Sequence, residues 1–557
     1  MIIPALIASL VSSINAEALL SHSQIYPSSQ SAILGPKTKL TIANKVIAPD
    51  GFERPATLAN GMFPGPLIAA QKGDHFAIEV VNELQDESMF TSTSVHWHGL
   101  VQNGTNYADG ASFVTQCPIA QNHSFLHTFS APDQAGTFWY HSHYSVQYCD
   151  GLRGPLVIYD PQDPMAHMYD VDDASTVITI SDWYHHLATV LRYVIGNIAD
   201  SSLINGLGRY AGGPMTPLAV IHVEQGKRYR LRLISTACDP NFQFSIDGHN
   251  LTIIEADGEL TEPLVVDQIQ IFSGQRYSMV LVADKPVDNY WIRNLPNTVN
   301  ASFDHGRNSA ILRYKGALKV EPVTVNITSK NPFAETNLHA LINPGAPGIP
   351  GYGKAEINLN LQVTNVNGTF YVNNVTFKPP TVPVLLQVLS GAHAPSHLLP
   401  KGSVIALEAN KVVELTLSTT GAGGPHPIHL HGHSFDVVQS AGNSTFNYVN
   451  PVRRDVVSAG DPGQQVVIRW VTDNSGPWFL HCHIDWHLEA GLAMIMAESP
   501  SDTSAHLNYV PHAWDRLCPT FDSVMPSQLG GVGMKFYEQA AKISSSLYPP
   551  PPLSSTT

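Results

Sequence analysis

The sequence predicts an all-β protein built of stacked β-sandwiches, and three observations predict it. Short segments rich in β-branched and aromatic residues recur along the chain, at 76–81, 154–159, 176–180, 229–234, 277–282, 357–363 and 466–471. Gly, Pro, Asn or Asp bound these segments, and such residues divide strands with turns. Helical periodicity is rare, and 557 residues are too many for one hydrophobic core, which seldom grows beyond about 250. About three domains follow.

Taken in order, residues 1–18 read as a secretory signal. A short apolar run ends in small residues near Ala16 and Ala18, and it is too short to span a bilayer. The first domain is expected over 32–163, closed by the turn formers at 160–164 after the strand at 154–159. The second is expected over 164–334, with its first strand near 176–180. The third is expected over 335–525, announced by the Pro- and Gly-rich stretch at 343–351. The tail 526–557, which contains a proline run at 549–552, is expected to be disordered.

Composition points to an exported, soluble protein. A formal charge of −15 excludes nucleic acid as a natural partner, and no basic stripe stands against it. No segment after the leader is long and apolar enough for a membrane helix. Eight Asn-x-Ser/Thr sequons, at Asn103, Asn122, Asn250, Asn300, Asn326, Asn367, Asn374 and Asn443, fit export; Asn103, beside the first metal motif, is expected to be buried. Nothing in the sequence argues for an oligomer, and a monomer is the working expectation.

The chemistry is concentrated near the C-terminus, where His481, Cys482, His483 and His487 stand within seven residues. On a strand, successive side chains point to opposite faces, so Cys482 faces one way and its two neighbours the other. A thiolate with two imidazoles selects copper. Two metal sites, on the order of 10–15 Å apart, are then joined through one cysteine and the residues flanking it. Three more clusters supply further ligands: His96 and His98; His141 and His143; and His426, His429 and His431. Their two-residue spacing, on segments that read as strands, puts paired rings on one face. Ten histidines and one cysteine suit four coppers. Five cysteines in an exported chain leave one unpaired, and copper takes Cys482; the other four permit three pairings.

These four motifs, two near the start and two near the end, resemble the signature of the blue multicopper oxidases. The surrounding text is similar to fungal laccases in particular: Gly-Thr-Asn-Tyr-Ala-Asp-Gly at 104–110, Tyr-Cys-Asp-Gly-Leu-Arg-Gly-Pro at 148–155, and His-Leu-Glu-Ala-Gly-Leu at 487–492. The likeness runs from about residue 38 to about residue 519. It implies that the sandwiches are three cupredoxin-like domains. It implies disulfides Cys117–Cys518 and Cys149–Cys238, each closing a loop long enough to stabilise by roughly 3–5 kcal/mol. It also implies a set of roles. His426, Cys482 and His487 would hold a type 1 copper, and His96 and His429 a type 2 copper. The two type 3 coppers would be held by His98, His141 and His483, and by His143, His431 and His481. Because the middle domain has no comparable pair, the trinuclear group must lie between the first and third.

The resemblance further implies one-electron oxidation of phenols and aromatic amines, such as lignin-derived phenols, near His487, coupled to four-electron reduction of O2 to water. Asp109 matches a carboxylate that donates protons near the trinuclear group. Asp239 matches the residue that takes a hydrogen bond from the donor. Leu492, ten residues after Cys482, stands where several relatives carry methionine, and its apolar side chain is expected to raise the potential. Met494 and Met496 read as core residues, His433, Asp485 and Glu489 as supporting ones. The alternative function is a ferroxidase or other metallo-oxidase on the same scaffold, which needs a carboxylate cluster beside the type 1 histidine.

Overall fold

The computed structural model of the protein describes residues 33–298, 301–421, 423–531 and 533–547. Strands between Lys37 and Tyr159 form two four-stranded sheets. Those between Val177 and Tyr314 form a seven-stranded and a five-stranded sheet, and those between Ile357 and Glu498 a six-stranded and a five-stranded sheet. The all-β, three-domain expectation holds.

The strands form where alternation is cleanest. In His75–Asn82 every second side chain, from Phe76 through Ile78 to Val80, is buried while its neighbours are not. The segments read at 154–159, 176–180, 229–234, 277–282, 357–363 and 466–471 appear as Arg153–Tyr159, Val177–Trp183, Arg228–Ser235, Arg276–Val282, Ile357–Val366 and Gln465–Val471. Both disulfides are present in the expected pairing, and Cys482 is free and buried. Cys117–Cys518 ties the first sandwich to the C-terminal segment, and Cys149–Cys238 ties it to the second.

Three expectations are corrected. The tail is not disordered throughout: Met534–Leu547 is a helix that buries Phe536 and Ala540 and packs Ile543 against the same core. Those three residues, at i, i+4 and i+7, make a narrow apolar stripe. Ahead of the helix, the carbonyls of Leu529 and Gln528 accept hydrogen bonds from Thr91, and Gly531 N–H donates to the carbonyl of Glu87. Second, only His96–His98 lies wholly within a strand; His143, His431 and His483 each sit just beyond a strand's end. The rings must converge from two sheets, so the strands stop where that convergence begins. Third, Asn103 is exposed. The leader and Asn300 lie outside the described residues.

One core residue sets a pH limit. His127 is fully buried against Trp97 and Phe125, and neither ring nitrogen is in hydrogen-bond geometry. Burial lowers its pKa to about 3, against slight support for the cation from the carbonyls of Phe125 and Ile78. A histidine that is neutral when folded and protonates near 6.5 when unfolded costs nothing above that pH. It costs progressively more as pH falls toward 3, up to on the order of 4–5 kcal/mol. His127→Phe should therefore flatten the acid limb of stability between pH 6.5 and 3, followed by denaturant melts across that range. Parallel pH profiles for the two proteins would refute this.

Candidate metal centre

Strand pairing assembles the site. In the first sandwich, His96 lies directly opposite His141, and His98 opposite Trp139. In the third, His429 lies opposite His481, and Ile428 opposite Cys482. Each antiparallel pair therefore presents histidines side by side on one face. The two faces meet.

The buried histidines gather into groups whose candidate ligand atoms all lie within 4.8 Å of one another. These are His98, His141 and His483; His143, His431 and His481; and His96, His98 and His429. Ring nitrogens face each other: His143 Nε2 is 3.4 Å and His431 Nε2 3.1 Å from His481 Nε2, and His483 Nε2 is 3.2 Å from His98 Nδ1.

The opposite nitrogen of most rings is already committed. Nδ1–H donates to a backbone carbonyl in His96 (Asp109, 2.8 Å), His141 (Ser142, 2.8 Å), His429 (Asp455, 2.8 Å) and His481 (Cys482, 2.9 Å). His431 donates Nδ1–H to Asp109 Oδ2 at 2.9 Å. His98 is reversed, donating Nε2–H to Asp455 Oδ1 at 3.2 Å and turning Nδ1 inward. Each such bond fixes a tautomer and leaves one lone pair aimed at the shared space. Buried Nε2 atoms of His96, His141 and His429 have no hydrogen-bond partner. Orphaned imidazole nitrogens converging on one space fit a group of metal ions.

Electrostatics keep those lone pairs available. His98, His141, His143, His429, His431 and His483 are held well below the ordinary imidazole value, first by burial and then by neighbouring imidazoles; His481 falls to about 3, mainly through burial. Neutral rings are the ligating form.

The second site is built around the thiol. Cys482 Sγ lies 3.8 Å from His426 Nδ1 and 3.7 Å from His487 Nδ1, and the two nitrogens are 3.1 Å apart. The strand Gly476–Cys482 supplies the sulfur, and the short helix Asp485–Glu489 carries His487 back toward it. Burial pushes the Cys482 thiol upward, and Asp239 and Asp485 add to this, so only a bound cation would make it a thiolate. Leu492 is tied to Cys482 and His487, accepting from Cys482 N–H and donating its own N–H to His487 O. With Ile428, Leu480 and Met494, its side chain lines a small apolar pocket against Cys482. Met494 and Met496 are core residues. His487 is only partly buried, with Phe370 4.5 Å away, ring to ring.

Among the remaining expected residues, Asp109 is fully buried and sits between His96 and His431, 3.2 Å and 2.9 Å from their Nδ1 atoms. Asp239 is partly buried in a loop anchored by Asp182, which accepts from its N–H and from that of Cys238. Burial and the Asp182 charge raise the Asp239 pKa to about 7. His433 is paired with Glu498 at 2.8 Å, and Glu489 accepts from Ser145 Oγ and faces Arg192. Asp485 is buried, its N–H donated to Cys238 O.

Sequence reasoning missed Asp455 and Arg276, which pair beside His98, and Trp139, stacked 4.3 Å from His141. Trp139 was within reach, since it stands two residues before His141 on the same strand. The other two carry no local pattern; only the folded register brings them in.

Three family profiles, each described as multicopper oxidase, match residues 41–163, 174–317 and 377–502. Laccase-4 of Trametes villosa is 58% identical over 504 residues, covering 90% of this chain and 96% of the relative. A laccase of Pycnoporus cinnabarinus is 57% identical over 502 residues, covering 89% and 96%. Among solved structures, the laccase from Botrytis aclada superposes with a TM-score of 0.78 at 32% identity, over 90% of this chain and 94% of that one. Fet3p, a multicopper oxidase that functions in iron import, gives 0.76 at 28% identity, over 90% and 97%.

Proposed function

Because the chain belongs to the multicopper oxidase family, we propose how its own residues carry a laccase's reaction, the one-electron oxidation of phenols and aromatic amines coupled to reduction of O2 to water. Copper, when bound, supplies the redox chemistry at both donor sets. His426, Cys482 and His487 would hold the type 1 ion. His96 and His429 would hold the type 2 ion, and His98, His141, His483 with His143, His431, His481 would hold the type 3 pair. The observation that carries this reading is that one residue, Cys482, belongs to the first set while both its neighbours belong to the second.

His487, partly exposed, presents the site to an aromatic donor, and Phe370 offers a ring face beside it. Asp239 accepts the donor's O–H or N–H proton as the electron leaves. Cys482 and its peptide links to His481 and His483 provide the covalent path inward. Asp109 holds His431 and His96 in place and is the acid for oxygen's protons. Leu492, against Cys482, offers no lone pair, and this would keep the potential of a copper held there high. The limits 32–163, 164–334 and 335–525 suit the three domains, since each pair of sheets and each family match falls inside them.

The protein acts outside the cell as a soluble monomer with no nucleic-acid partner. The leader and sequons support export, and the charge of −15 supports solubility. No helix among the described residues is long and apolar enough to cross a membrane. The laccase reading is favoured over the ferroxidase alternative by the much higher identity to named laccases. Oxygen uptake with a phenol against Fe(II) separates them: rapid uptake with the phenol is expected, and a strong preference for Fe(II) would overturn the assignment.

Asp239 gives a pH prediction with a definite sign. Ionised above about 7, it accepts the phenolic proton; protonated below, it does not. For a phenol, kcat/KM should rise with pH through that value. Asp239→Asn should remove the rise and lower kcat/KM above it roughly ten- to a hundredfold. A donor without an ionisable proton should show neither effect, and an unaltered phenol profile in the variant would exclude the role.

A further inference from the structure

The middle domain supplies none of the proposed ligands, yet it reaches the histidine cluster. Its turn at 272–276 brings Gly274 against two rings: a Cβ there would lie 2.9 Å from His483 Cδ2 and 3.1 Å from His98 Cε1, and the φ of +86° favours glycine besides. Two residues on, Arg276 lies fully buried where the three sandwiches meet. Its Nε–H donates to Thr137 O of the first at 2.9 Å, and Nη1–H to Gly274 O of its own at 3.1 Å. Nη1 and Nη2 form a fork on Asp455 of the third, both at 2.7 Å.

Asp455 in turn accepts Nε2–H of His98 through its carboxylate and Nδ1–H of His429 through its carbonyl. Gly99, directly after His98, leaves room for the fork, since a Cβ there would lie 2.4 Å from Arg276 Nη2 and 2.9 Å from Asp455 Oδ2. Without a partner, an ionised Asp455 at this depth would be costly. The bidentate pair offsets part of that cost and fixes the plane of the carboxylate. His98 is the ring in the described cluster whose Nε2–H is held by a carboxylate, so its inward Nδ1 depends on that plane.

We propose that Arg276 is a positioning residue of the trinuclear site, orienting Asp455 so that His98 faces the cluster through Nδ1. The proposal rests on the reading of His98 as a copper ligand. It gives the ligand-free middle domain a part in metal loading. Loss of an outer hydrogen-bond partner typically weakens a site about 10–100-fold.

The test is Arg276→Gln and Arg276→Lys in the full-length secreted protein, with wild type alongside. Copper per chain, the blue charge-transfer band, the near-ultraviolet band of the coupled pair and the electron paramagnetic resonance spectrum are measured, and the metal-free proteins are compared by thermal unfolding. Arg276→Gln is expected to keep the blue band and lose the coupled-pair band, with copper retention at the trinuclear group about 10–100-fold weaker. Arg276→Lys keeps the charge without the fork and should fall between. A folded Arg276→Gln protein with full copper and an intact coupled-pair band would overturn the proposal. Should that variant fail to fold, Arg276→Lys decides: a coupled-pair band identical to wild type overturns the role, and a diminished one supports it. A wild type that itself lacks the coupled-pair band would contradict the copper assignment rather than the role of Arg276.

Discussion

Cys482→Ser is expected to abolish the blue colour and phenol turnover together, lowering kcat by on the order of a thousandfold or more, about 4 kcal/mol of barrier. The sulfur is the soft donor of its set, within 3.8 Å of both imidazole nitrogens, and a serine hydroxyl is a poor ligand for copper. It also begins the covalent path to His481 and His483. The substitution removes little volume from a fully buried position, so the fold should persist. Metal analysis should then find one copper fewer per chain, with the histidine cluster still loaded. Oxygen uptake with a phenol measures the loss directly, and substantial residual turnover would mean that electrons enter by another route.

Stripping copper should have the second largest effect, this time on stability. Ligands from the first and third sandwiches meet in one cluster, so metal binding and docking of the two share a free energy. A ligand that binds only the folded state at a thousandfold excess over Kd stabilises by about 4 kcal/mol per site. The copper-free protein should therefore unfold at clearly lower temperature and lower denaturant concentration. Copper returned only to the Cys482 set should restore a minor part. Calorimetry of the stripped, partly loaded and fully loaded forms gives the comparison; coincident transitions would show that the cluster does not bridge the sandwiches.

Much of this was legible before folding, for identifiable reasons. Strands such as His75–Asn82 alternate strictly, and a period of two survives in sequence whatever the partner strand. The donor groups could be read because their residues sit two apart and their chemistry is uncommon. Geometry beyond the strand ends could not: His143, His431 and His483 leave their strands in order to converge, and that turn depends on the opposing sheet. Arg276 and Asp455 stand 179 residues apart and acquire meaning only when three sandwiches meet. The tail misled because its proline run at 549–552 is its most conspicuous feature, whereas the apolar stripe that folds it is only three residues, Phe536, Ala540 and Ile543.

A thiolate-bound copper and a histidine-bound cluster are expected to act as one four-electron unit. The measurement that meets it most directly is anaerobic reduction with a phenol until the blue band bleaches, followed by rapid mixing with limiting O2. The blue colour should return with four electrons consumed per O2 and no hydrogen peroxide released. Return of the colour with stoichiometric peroxide, or a bleached site that oxygen leaves unchanged, would contradict it.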